Sequence, residues 1–68
     1  MNVLTELTHL AVGRPRAGAT AETVAEWYEA KSRLHAHLAG LGGPDSELER
    51  ALAERAHKRA TDLLSPIG

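Results

Sequence analysis

The run Gly40-Leu41-Gly42-Gly43-Pro44 separates two segments of nearly equal length that both carry helical periodicity, and this break constrains the fold more than any other feature. Glycine supplies the backbone freedom of a tight turn and proline cannot continue a helix, so one helix must stop here and another begin. Upstream, residues 20–40 open on Thr20 as an N-cap, with Glu22 and Glu26 near the positive end of the helix dipole. Val24, Trp27, Leu34, Leu38 and Leu41 recur at steps of three and four, and the single gap falls on Lys31. Downstream, residues 46–64 open on Ser46 and Glu49, an S-x-x-E capping box, and stop at Ser65-Pro66. Leu48, Leu52, Ala56, Ala60 and Leu63 make the apolar stripe of this segment. Arg50, Glu54, Lys58 and Asp62 line its other side at steps of four.

Each segment holds about 19 residues, roughly 28 Å of helix, so a short turn between them implies an antiparallel hairpin. Folding back about Gly42 and Gly43 places Leu38 on Leu48, Leu34 on Leu52, Lys31 on Ala56, Trp27 on Ala60, and Val24 on Leu63. Large residues then meet small ones in the outer layers, as interdigitation requires. Lys31 is the one charged member of this seam. Glu29 precedes Arg33 by four residues, the favourable order for a helix-surface pair.

A third, shorter helix is expected over residues 1–12. Asn2 is placed to cap it, Val3, Leu4, Leu7, Leu10 and Ala11 share one face, and Gly13 ends it. Residues 13–19 read as an extended, mobile linker. A helix this short is marginal alone, so it must dock on the hairpin or on a partner. The expected fold is one small all-α domain, a hairpin of two long helices plus a short N-terminal helix.

Stability is the difficulty for such a chain. At 68 residues it hides only about 60% of its unfolded surface. Its 43% hydrophobic content is dominated by twelve Ala and ten Leu, with no Phe. Small scaffolds usually compensate with disulfides, a metal or association, and the absence of Cys removes the first. Association is the expectation: a homodimer forming a four-helix bundle, or docking on another protein. A net charge of -1 supplies no broad positive field for nucleic acid or acidic membranes. No apolar run is long enough for a membrane span, and the N-terminus lacks a signal-peptide pattern, so a cytoplasmic location is expected. Six Arg against two Lys, with abundant Ala, fits GC-rich bacterial coding.

Chemistry is sparse. A metal site would need converging ligands, but His35 and His37 diverge by about 200° on a helix, and His9 and His57 stand far off in sequence. Ser32, Ser46 and Ser65 read as a helix-surface residue, a cap and a terminator. Glu26 with Glu29, and Asp45 with Glu47, lie at exposed helix starts where nothing raises a carboxyl pKa. No catalytic set, metal or cofactor is expected.

Two local strings resemble known motifs. Leu41 to Leu48 is similar to the L-G-x-D-S-L loop of acyl and peptidyl carrier proteins, which implies phosphopantetheine on Ser46. Here Glu47 intervenes before Leu48, and 22 residues follow the serine. Gly13-Arg14-Pro15-Arg16 resembles the core of an AT-hook, which implies minor-groove binding through Arg14 and Arg16. Val12 stands where that core begins with Arg. A helix-turn-helix reading meets Asp45, Glu47 and Glu49 at the recognition position, where phosphates would repel them.

The best reading is a non-enzymatic protein–protein interaction module, a small regulator or adaptor. Leu4, Leu7, Leu10, Trp27, Tyr28, Lys31, Leu34, Arg55 and Arg59 are its candidate contact residues, since Trp and Tyr are enriched at interface hot spots. The alternative is a nucleic-acid-associated regulator using Arg14, Arg16 and the basic half of the last helix. A carrier modified at Ser46 comes third.

Overall fold

A computed structural model of the chain describes residues 2–65 and contains three helices, α1 (Val3–Val12), α2 (Ala21–Gly40) and α3 (Ser46–Leu64), with no strand among the described residues. Met1 and the expected terminator Pro66 lie outside these residues.

Local chemistry explains the helix ends. The Asn2 side chain accepts a 3.1 Å bond from the Thr5 N–H, and Thr20 Oγ1 accepts one of 3.1 Å from the Thr23 N–H, each satisfying a first-turn donor. Gly13 closes α1, its N–H donating to the His9 carbonyl at 2.8 Å. The expected capping box does not form. Asp45 occupies the N-cap of α3 without a side-chain bond, and Glu49 is drawn across to His35 instead. Between the long helices Gly42 and Gly43 have φ of +79° and +103°, the left-handed region that L side chains disfavour. The linker also departs from expectation. It contains a turn, with Gly18 at φ +89° and the Ala19 N–H donating to the Arg16 carbonyl at 3.0 Å.

Helices α2 and α3 form the antiparallel hairpin. Three cross-links define its register: His35 Nδ1 lies 2.5 Å from Glu49 Oε2, Ser32 Oγ donates to the Ala53 carbonyl at 2.8 Å, and His57 Nδ1 lies 2.8 Å from Glu29 Oε1. The expected seam is therefore rotated. Leu48 does not meet Leu38 in a core layer and is 57% exposed. Ser32 is not a surface residue but half-buried, and Glu29 is engaged by His57 rather than Arg33. The buried residues of α3 are Ala53, Ala56 and Ala60, and those of α2 are Ala25 and Leu34. Small side chains let the two backbones approach closely. That proximity puts the Ser32 hydroxyl within reach of a main-chain carbonyl.

Ala25 and Leu34 are nine positions apart, which at about 100° per residue sets them on opposite sides of α2. The central helix is thus covered on two sides. Helix α3 takes the Ala25–Ser32 side, while the short α1 takes the side bearing Trp27 and Leu34. No Cα of α1 comes within 8 Å of one in α3. The result is an open slab of 37 × 26 × 16 Å in which Leu34, 2% exposed, is the only large buried side chain among the described residues.

Candidate interaction surface

Trp27, on the second turn of α2, joins α1 to the hairpin. Its Nε1–H donates a 2.9 Å bond to the Leu10 carbonyl. Carbonyls in the last turn of a helix have no intrahelical donor, so the indole satisfies one of the orphans of α1. This role was not legible in the sequence, which placed Trp27 against Ala60.

Charges gather on the same ring. The Arg14 guanidinium lies 5.8 Å from the indole centroid and the Lys31 ammonium 5.5 Å, both within cation–π range. Tyr28 meets Trp27 edge-on, with centroids 5.2 Å apart and planes at 82°. Lys31 consequently faces the indole rather than Ala56, and sits beside α1 rather than inside the hairpin seam.

Two open grooves share Arg14, Trp27 and Lys31. The first, about 410 Å³, runs along the α1–α2 junction and is lined mainly by Leu7, Leu10, Leu34 and Leu38. The second, about 480 Å³, lies beneath the linker and adds Arg16, Val24 and Tyr28. Neither has an Asp or Glu in its lining. Among the described residues Arg14, Arg16 and Lys31 form no ion pair.

Six of the nine candidate contact residues therefore converge here: Leu7, Leu10, Trp27, Tyr28, Lys31 and Leu34. Leu34 belongs to the interior. Leu4 is 76% exposed on the far end of α1, in a separate shallow depression with Thr5, Thr8 and His9. Arg55 and Arg59 are exposed on α3 and line neither groove. Sequence reasoning missed Leu38 and assigned Arg14 and Arg16 only to nucleic acid. Their proximity to Trp27 depends on the path of the linker, which no spacing rule encodes.

Among the described residues no group of three His, Cys, Asp or Glu could hold a metal ion, and no helix is long and apolar enough to cross a membrane. Ser46 lies in the first turn of α3, half-buried. No protein-family model matches the chain, and no curated protein or solved structure is significantly similar to it.

Proposed function

We propose that this protein is a non-enzymatic interaction module, a small helical regulator or adaptor whose incomplete core is covered by another chain. One observation carries the reading: the excess of exposed surface. The chain presents 5048 Å² to solvent, whereas a compact monomer of its mass exposes about 4,200 Å². The surplus marks an open molecule that leaves apolar surface for a partner. Leu41, Leu48 and Leu64, each more than half exposed, supply apolar area for such a contact, and a second hairpin would complete a four-helix bundle.

Sedimentation velocity and thermal melting across micromolar concentrations test this. A mass and a melting temperature that both rise with concentration are expected for self-association. A single concentration-independent melt of a compact monomer would remove the argument.

A further inference from the structure

We infer that the composite groove around Trp27 receives an amphipathic segment of a different protein, with leucine-like residues along one face and carboxylates at one end. The inference rests on the interaction-module reading and names its surface and its partner's chemistry.

The two grooves adjoin at Arg14, Trp27 and Lys31, which line both. The α1–α2 half carries Leu7, Leu10 and Leu38 on its walls, with the shared Arg14 and Lys31 at the junction and His35 beside them. The linker half holds three cations, Arg14, Arg16 and Lys31, out of the eight Lys and Arg in the chain. The chain carries nine Asp and Glu, yet none lines either half. Apolar walls select an apolar helix face, as in helix-in-groove recognition, and unpaired cations at one end select carboxylates and fix the direction of binding.

The charge pattern also decides among occupants. A second copy whose groove lay on the two-fold axis would set this face against itself and bring like charges together, which costs affinity. A polyanionic nucleic acid needs a longer cationic track. Here the positive patch is one small groove, and Glu22 and Glu26 stand exposed on the same helix. A short acidic and apolar peptide fits both constraints.

Trp27 is the only tryptophan, so its emission reports directly on the groove. The probe is a synthetic peptide with leucines at i, i+3, i+4 and i+7 and glutamates clustered at one end; its controls are the same peptide with glutamines and an oligothymidylate. Saturable change in Trp27 emission with the acidic peptide is expected. It should weaken about tenfold when the glutamates are replaced, and by a similar factor in Lys31→Gln and in Arg16→Gln. Arg16 is exposed on the linker, so its variant keeps the fold even if Lys31→Gln loosens α1. No response to the acidic peptide, equal response to its glutamine form, or tighter binding of the oligonucleotide would overturn the inference. So would loss of self-association in the Arg16→Gln variant, which would identify the occupant as a second copy. Sedimentation of the unaltered chain is read independently of the peptide titration, so an associating protein that ignores the peptide separates the two proposals.

Discussion

The indole N–H of Trp27 and the carbonyl of Leu10, 2.9 Å apart, make the polar bond that fastens α1 to the rest of the molecule. A hydrogen bond of this kind contributes about 1 kcal/mol net, and α1 has little else to hold it, since it packs on α2 alone. In Trp27→Ala the α1 segment is therefore expected to come free and lose its helix, as short helices do in water. Far-UV circular dichroism should fall by the share of α1, 10 residues, while α2 and α3 still melt together. Trp27→Phe keeps most of the ring and removes the donor, and should cost about 1 kcal/mol. An unchanged spectrum in Trp27→Ala would show that α1 is held by other means.

The alanine stripe of the hairpin predicts an unusual pattern of tolerance. Ala60 is 1% exposed, so Ala60→Leu must push the helices apart and should cost about 1–3 kcal/mol. Leu48→Ala, at a position 57% exposed, should stay within about 0.5 kcal/mol. Urea melts of both variants check the register. The reverse order would restore the Leu38–Leu48 layer that the sequence suggested.

The turn gives a second opposed pair. Gly43 has φ +103°, and an added Cβ would meet nothing within 4 Å, so Gly43→Ala suffers only backbone strain, about 1–2 kcal/mol. Gly40, the last residue of α2, also has open space around it but no positive φ. Gly40→Ala should raise stability by about 0.5–1 kcal/mol. Differential scanning calorimetry would record opposite shifts in melting temperature.

The two histidine–carboxylate links should differ in strength. His35 and Glu49 are 16% and 21% exposed, whereas His57 and Glu29 are 66% and 38% exposed. A double-mutant cycle on the first pair should give a coupling of about 1 kcal/mol, and one on the second pair less than about 0.5 kcal/mol. Equal couplings would mean that solvent reaches both pairs alike.

Much of the fold was legible because helix ends are written in local chemistry. Asn2, Thr20 and Gly13 each act where their spacing implied, and α2 and α3 keep within a residue of the expected limits, whereas α1 starts at Val3 rather than at the first residue. The face of α2 chosen by α3 was not legible. Val24, Trp27, Leu34 and Leu38 form the more hydrophobic stripe, and any reading by hydropathy assigns it to the longest neighbour. The hairpin instead uses Ala25 and Ser32 against Ala53, Ala56 and Ala60, a stripe with little hydropathy but small volume. Once those backbones close on one another, the bulkier stripe is left for α1. For the same reason Lys31 was misread as a guest in the hairpin seam. Ser46 and Glu49 show a second limit: a capping box is a local option, and Glu49 gives it up for a tertiary partner, His35.

The missing contact between α1 and α3 has a consequence for how the molecule opens. Amides of α1 can exchange with solvent by undocking that helix alone, without unfolding the hairpin, whereas amides beside Ala53 and Ala56 must wait for a larger opening. Native-state hydrogen exchange should then resolve two protection levels with a step between Val12 and Ala21. Anything that binds against α1 raises the lower level first, so the height of that step is a measure of occupancy that can be read residue by residue.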